Sequence, residues 1–307
     1  MTNSITSVGW VGLGKMGTPM AANLLADGYA LHVFNRSPGK TRLLVEKGAR
    51  LAAGLPELAA QCDVVLSTVS DDQALLEIAT APDGLFQGAR AGLIHVDMST
   101  VSPRASARLA CAAAERGIRY LRAPVSGSVS AASAATLTIL CSGPRDAYER
   151  CESLLKHLAT RLYYLGDAEQ ARYLKLSINM MLGITAAMLG EALALGERGG
   201  VDWQQMVEVV NNSVVASPLI GYKARMLSTR DFDPMFTIAQ MAKDFDLALD
   251  TGRLGNIPMP LTALARQFVS AMIASGRGEL DFFAYVTLLE ELAGLSGPAM
   301  ASAREAA

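Results

Sequence analysis

The sequence predicts an α/β protein in two parts: a mostly parallel, helix-covered sheet over residues 1–166 and an all-α domain over residues 167–307 that opens on one long interdomain helix. Three observations carry this prediction. The first half alternates short β-rich runs with helical patterns, the rhythm of βαβ units. Near the N-terminus an apolar run, a Gly-x-Gly-x-x-Gly turn and a helix-compatible stretch follow one another. After Gly166 β-branched alternation disappears, and 3.6-period segments rich in Ala, Leu and Met take over.

The elements follow in order. Strands are expected at Ser4–Val11, Ala30–Asn35, Val64–Val69, Leu93–Asp97, Arg119–Arg122, Thr136–Ser142 and Leu162–Leu165. Helical stretches lie between them at Met20–Ala26, Lys40–Lys47, Gln73–Ala79, Pro103–Arg116 and Asp146–Ala159. The second half opens with Ala168–Arg198, roughly thirty residues without proline and about 45 Å long at ~1.5 Å per residue. Helices at Trp203–Asn212, Ser217–Leu227, Ile238–Leu254, Pro260–Ser275 and Phe282–Ala293 follow. They are broken by Gly199-Gly200, Asp233-Pro234, Asn256-Ile257-Pro258 and Gly276–Gly278. The Ala/Glu tail at 301–307 is expected to fray.

Composition narrows the function classes. The chain has 307 residues, is 51% hydrophobic and carries a net charge of −2 without long Lys/Arg runs, which argues against a nucleic-acid surface. Cys62, Cys111, Cys141 and Cys151 show neither C-x-x-C spacing nor paired histidines, so no metal site or disulfide framework is expected. The first residues lack a signal-peptide pattern, and a reducing cytoplasm is the expected setting. The apolar run Leu176–Gly190, bracketed by Lys175 and Glu191, is shorter than a bilayer span requires and reads as a helix buried in a globular assembly, not a membrane segment.

The glycine turn is Gly12-Leu13-Gly14-Lys15-Met16-Gly17. In this context it is a dinucleotide-binding fingerprint of the Rossmann type. The first glycine allows the tight turn, the second admits the pyrophosphate to the backbone, and the third lets helix pack on strand. Helix N–H groups then receive the phosphates. The second strand ends in Asn35-Arg36-Ser37, where an NAD-preferring site places a carboxylate for the ribose 2′-OH. A guanidinium there suits a 2′-phosphate, so NADP(H) is the expected cofactor and NAD(H) the alternative; Arg36 as one more solvated charge is the competing reading.

Reduction of a carbonyl needs a proton donor. His32, His95 and His157 lie in two strands and a helix of the first domain and read as structural, and no Y-x-x-x-K pair occurs. Lys175 opens the apolar part of the long helix, with Asn179 at i+4 on the same face. A lysine there is expected to have a depressed pKa and to give a proton near neutrality; the same position also suits a lysine that only snorkels to water.

The segments GLGKMGTPMAANL (Gly12–Leu24), VDMST (Val96–Thr100), PVSG (Pro124–Gly127), KLSIN (Lys175–Asn179) and Lys243-Asp244 together resemble the β-hydroxyacid dehydrogenases, the family of 3-hydroxyisobutyrate dehydrogenase and small semialdehyde reductases. The likeness runs through essentially the whole chain in the family's motif order. It implies hydride transfer between a nicotinamide and a small anionic 3-hydroxy acid or its semialdehyde. Lys175 would be the general acid in reduction and base in oxidation. Asn179 would orient the substrate, and Ser126-Gly127-Ser128 would hold its carboxylate. Lys15 and Met16 would face the pyrophosphate, Val69 the adenosine half and Thr100 the nicotinamide ribose. Phe236 and Lys243 would close over the cofactor. Val69 as plain core and Phe236 as a packing aromatic are the competing readings.

The chain departs from the family at Arg122, where an Asp is usual, at Ser128, Ala131 and Ala135, which replace glycines, and at Glu169, another glycine position. An imine reductase of the same architecture is the alternative enzyme, against which Lys175 argues. A non-catalytic relative kept for oligomerisation is the alternative outside catalysis. The apolar surface of the long helices predicts a homodimer or homotetramer.

Overall fold

The computed structural model describes residues 5–295. The chain divides into two units, Met1–Lys175 and Leu176–Ala307. The first four residues of the sequence, including the expected strand start at Ser4, and the 301–307 tail lie outside the described residues.

In the first unit, β1 (Ser7–Val11) is the hydrophobic run that precedes the turn, and it is central, its residues after Ser7 being buried on both sheet faces. It is joined by β2 (Ala30–Phe34), β3 (Arg50–Leu51), β4 (Val64–Ser67), β5 (Ile94–Asp97) and β6 (Arg119–Arg122). All five pairings are parallel and the spatial order is β3-β2-β1-β4-β5-β6, the doubly wound arrangement. The covering helices are α1 (Gly17–Ala26), α2 (Arg42–Glu46), α3 (Leu55–Gln61), α4 (Asp72–Thr80), α5 (Leu85–Gly88) and α6 (Pro103–Ala114). One core, around Val8, Trp10, Met20, Leu24 and Leu66, fills one side of the sheet; Leu58, Val65, Leu75 and Leu109 fill the other.

The chain then makes a small second sheet. β7 (Val125–Ser126) pairs antiparallel with β8 (Leu137–Cys141), which pairs parallel with β9 (Ala159–Tyr164). Helix α7 (Val129–Ser133) follows β7, and α8 (Arg145–Lys156) lies between β8 and β9. The expected helix Asp146–Ala159 ends at Lys156, because Ala159 already pairs with Leu137 and starts the last strand. The sequence reading passed over β3 and β7, each two residues long, and over α3, α5 and α7. Two exposed residues such as Arg50 and Leu51 carry no periodicity to detect.

The second unit is all helix among the described residues. Its chain continues α9 (Gln170–Arg198) and adds α10 (Trp203–Asn211), α11 (Pro218–Thr229), α12 (Ile238–Leu254), α13 (Pro260–Ala274) and α14 (Tyr285–Leu292). Their apolar faces meet around Leu189, Leu193, Met241, Phe245, Phe283 and Val286. Helix α9 is long and apolar enough to cross a membrane by length and composition, with a third of its most apolar window buried. Ala186, Leu189 and Leu193 face the helical core, whereas Met181, Met188 and Leu195, seven residues apart, are 63%, 54% and 76% exposed.

Candidate active site

The three glycines of the first turn meet three different demands. Gly12 has φ +90°, and a Cβ there would stand 2.0 Å from the Thr68 carbonyl oxygen. At Gly17 a Cβ would stand 2.1 Å from the Gly12 carbonyl oxygen, so α1 crosses β1 at a distance that only glycine permits. Around Gly14 a Cβ would meet nothing within 4 Å, and that residue is exposed. Two glycines therefore let the backbone close on itself, and the middle one leaves room for a ligand to reach it, as a bound pyrophosphate requires. The first turn of α1 has no side-chain cap, unlike α4, α6 and α10, and its Thr18 N–H donates to the Gly14 carbonyl at 3.1 Å, so an anion here would meet the positive end of the helix dipole rather than a capping side chain. The residues present thus fit a dinucleotide.

Leu13 is core, and its N–H donates to Asn35 Oδ1 at 2.8 Å, while Asn35 Nδ2 donates to the Ser37 carbonyl at 2.9 Å. Asn35 therefore braces the turn from the end of β2. Arg36 and Ser37 stand exposed just beyond it, and Lys15 is exposed beside Gly14. A groove of about 670 Å³ runs along this edge between the turn, α1, α2 and α7, with Lys15, Lys40 and Lys47 on its walls. Lys40 was not singled out in the sequence, since a lone surface lysine three residues past Ser37 carries no spacing signal.

Val69 and Thr100 follow β4 and β5 on neighbouring loops, and a buried polar network connects those loops. The Val69 N–H donates to Ser99 Oγ at 2.8 Å, and Ser99 Oγ donates to Asp97 Oδ1 at 2.6 Å. Ser67 Oγ donates to the same carboxylate oxygen at 2.9 Å. Arg172, one helical turn before Lys175, is 1% exposed; it pairs with Asp97 and donates to the Ser99 carbonyl at 2.6 Å and to Tyr120 OH at 2.9 Å. Burial alone would raise the Asp97 carboxyl. The Arg172 guanidinium, His95 and the serine hydroxyls outweigh it and hold the pKa below the usual range. Lys175 itself is half-buried in the first turns of α9.

His95, read from the sequence as structural, sits inside this network. Its Nε2 lies 2.9 Å from Ser67 Oγ, and its ring packs against Phe86 and Tyr120. Burial pushes its pKa down to about 4; Asp97 opposes that shift and Arg172 reinforces it. The folded state therefore keeps the imidazole neutral while the unfolded chain, near 6.5, takes up a proton. Stability rises with pH between those two values and is lost on acidification through them. From pH 7 to pH 5 this single group should cost about 2 kcal/mol. Asp97 titrates below that window in both states and does not contribute to it. In urea unfolding at the two pH values, His95→Gln should show a smaller fall than the parent; an unchanged fall would refute the assignment.

The expected carboxylate loop is Ser126 in β7, Gly127 at φ +144° and Ser128 at the N-cap of α7, where its Oγ accepts from the Ala131 N–H at 3.2 Å. Helix α1 holds this loop, since Asn23 Nδ2 donates to the Ala132 carbonyl at 2.8 Å. Ala135, which the resemblance expects to be glycine, has φ +55°, a strained backbone for a residue with a Cβ.

Arg122 and Glu169, two of the departures, are each other's partner: they form a largely buried ion pair between the end of β6 and the residue preceding α9. The Arg122 guanidinium also stacks 4.7 Å from the centre of the Tyr120 ring.

In the second unit, Asn179 Nδ2 donates to Asp244 Oδ2, and Lys243 Nζ lies 3.1 Å from Asp244 Oδ1. Asp244 is 1% exposed and joins the two expected site residues. In the sequence Asp244 stands out only as the second member of the Lys-Asp pair, with no local signal for a role. Phe236 packs edge-on against Phe282, and its loop is clamped by Asp281, which accepts from the Met235 and Phe236 N–H groups and pairs with the fully buried Lys223 at 2.7 Å.

Residues 7–166 match the model of the NAD binding domain of 6-phosphogluconate dehydrogenase, and residues 170–289 match that of the NAD-binding domain of NADP-dependent 3-hydroxyisobutyrate dehydrogenase. The chain is 33% identical over 290 residues to a 2-(hydroxymethyl)glutarate dehydrogenase of Eubacterium barkeri, covering 94% of this chain and 96% of that protein. It is 32% identical to the human cytokine-like nuclear factor N-PAC, covering 92% of this chain but spanning only about half of that protein's length, 51%. Among solved structures, Mycobacterium tuberculosis 3-hydroxyisobutyrate dehydrogenase with L-serine superposes with TM-score 0.85 at 27% identity, over 93% of this chain and 99% of that one. An imine reductase from Pseudomonas sp. superposes with TM-score 0.59 at 26% identity, over 94% and 100%.

Proposed function

The chain belongs to the β-hydroxyacid dehydrogenase family, and we propose that it is an NADP(H)-linked oxidoreductase interconverting a small 3-hydroxy acid and its semialdehyde. The observation that carries the reading is the glycine cradle together with Lys175, which follows by one turn the arginine that grips the Ser99 carbonyl, next to Thr100. The cofactor, when bound, supplies a hydride to the carbonyl carbon of the substrate. The chain's residues do the remaining work. Gly14 and the open N-terminus of α1 hold the pyrophosphate, and Arg36 holds a 2′-phosphate. Ser126 and Gly127 receive the substrate carboxylate through a hydroxyl and backbone N–H groups. Lys175 Nζ gives a proton to the oxygen that develops negative charge in reduction and recovers one in oxidation. Asn179 steadies the substrate, supported by Asp244.

The test is NADPH oxidation with glyoxylate, succinic semialdehyde, tartronate semialdehyde and methylmalonate semialdehyde, with cyclic imines alongside. Turnover of at least one carbonyl acid, faster than of any imine, is expected. Imine reduction alone would favour the second enzyme reading, against which both Lys175 and the lower TM-score to the imine reductase weigh.

The exposed stripe of Met181, Met188 and Leu195 is assigned to contact with a second copy of this chain rather than with lipid. Light scattering in detergent-free buffer should give a dimer or tetramer, and Met188→Glu should shift it toward monomer. A monomeric parent at micromolar concentration would overturn the assignment.

A further inference from the structure

The start of α9 is fastened to the ends of three strands. Arg122 of β6 pairs with Glu169. Ser142, just past β8, donates its hydroxyl to the Ala168 carbonyl at 2.7 Å and accepts the Ala171 N–H at 3.1 Å. Arg172 reaches furthest, to the residues that end β5. Its Nη2 meets Asp97 and Tyr120 OH, its Nη1 donates to the Ser99 carbonyl, and its Nε donates to Ser106 Oγ at 3.2 Å. Through Ser99 Oγ the same network holds the Val69 N–H. One guanidinium therefore touches the backbone just before Thr100, is one hydrogen-bonded residue removed from Val69, and precedes Lys175 by three residues on a continuous helix.

A fold needing only stability at this point would gain as much from apolar packing, because a buried ion pair recovers little beyond its desolvation cost. A planar fork with donors in fixed directions sets distances between the pieces it joins. Resting on the reading of Lys175 as the proton donor, we propose that Arg172 is a positioning residue for the reaction, setting the Lys175 turn of α9 against the loops after β4 and β5. Arg172 does not touch the reacting atoms; it acts through Lys175 and the loop at Ser99.

The test is a double-mutant cycle on the full chain, using NADPH and the carbonyl acid turned over fastest among the four named above. Arg172→Lys retains a charge for Asp97 but loses the fork that also reaches the Ser99 carbonyl. Its kcat, normalised to NADPH-binding sites titrated by fluorescence, should fall about 30-fold, while the KM for the carbonyl acid changes less than threefold. In a Lys175→Ala background the same substitution should cost less than threefold, because the group it positions is gone. Equal losses in both backgrounds, or a normalised kcat within twofold of the parent, would overturn the inference. Tyr120→Phe, which removes only one partner of Arg172, is the milder variant should Arg172→Lys fail to fold. It should lower the normalised kcat severalfold in the parent and not in the Lys175→Ala background; the same effect in both would refute positioning. If Lys175→Ala alone keeps near-parental turnover, the proton-donor reading fails first, and that outcome is distinct from an unimpaired Arg172→Lys beside an inactive Lys175→Ala.

Discussion

Replacing Lys175 by alanine is expected to lower kcat by about 10²- to 10⁴-fold, the contribution of a positioned general acid, equivalent to about 3–5 kcal/mol in the barrier. Alanine is the strongest helix former, so α9 should persist and circular dichroism should not change. The pyrophosphate cradle lies on another segment, at Gly12–Gly17, and NADPH should bind with near-parental affinity. The loss should therefore appear in kcat and in kcat/KM together, the pattern of an interaction made in the transition state. Lys175→Arg should not restore activity: a guanidinium keeps the positive charge but does not release its proton in the working pH range. A lysine that only snorkels to water from the helix would leave kcat nearly unchanged on substitution. Steady-state kinetics of the two variants beside the parent decide between the readings, and near-parental turnover of Lys175→Ala would exclude the proposed mechanism.

The parts of this protein that were legible in its sequence are those with a repeating physical cause. Strands buried on both faces read as apolar runs, as β1 and β4 do, and the long helices of the second unit read as 3.6-residue periods. The glycine turn was legible for another reason: Gly12 and Gly17 answer steric demands of the backbone that no other residue meets, and Gly14 between them leaves the turn open. What escaped were elements too short to repeat, such as β3 and β7, and interactions between segments far apart in the chain. Arg122 and Glu169 are 47 positions apart, and each alone looked like an unexplained departure; only the folded chain makes them one ion pair. The Asp97–Arg172 pair, 75 positions apart, gave no local signal either, because a single arginine in a helix is ordinarily a surface residue. Asp244 was visible as half of a Lys-Asp motif, but its hydrogen bond with Asn179 belongs to the packing of α9 with α12.

On the proposed preference for NADP(H), Arg36→Ala at the end of β2 should raise the KM for NADPH about 10- to 100-fold while changing that for NADH by less than threefold. The magnitude follows from charge-assisted hydrogen bonds to a phosphate, worth about 1.5–3 kcal/mol each. The discrimination arises because NADH has no group for the guanidinium to hold. The structure sharpens the case by giving Asn35 a different task. Both ends of its amide are engaged, Oδ1 with the Leu13 N–H and Nδ2 with the Ser37 carbonyl, so it braces the glycine turn and does not stand in for the missing ribose-binding carboxylate. Arg36 is exposed at the next position. Initial-rate measurements with each cofactor, at one fixed ionic strength because exposed charges are screened by salt, separate the readings. If Arg36 were only a solvated surface charge, its loss would change both constants equally and slightly. An equal effect of any size would remove the basis for preferring NADP(H), since nothing about a 2′-phosphate would then have been read by this residue.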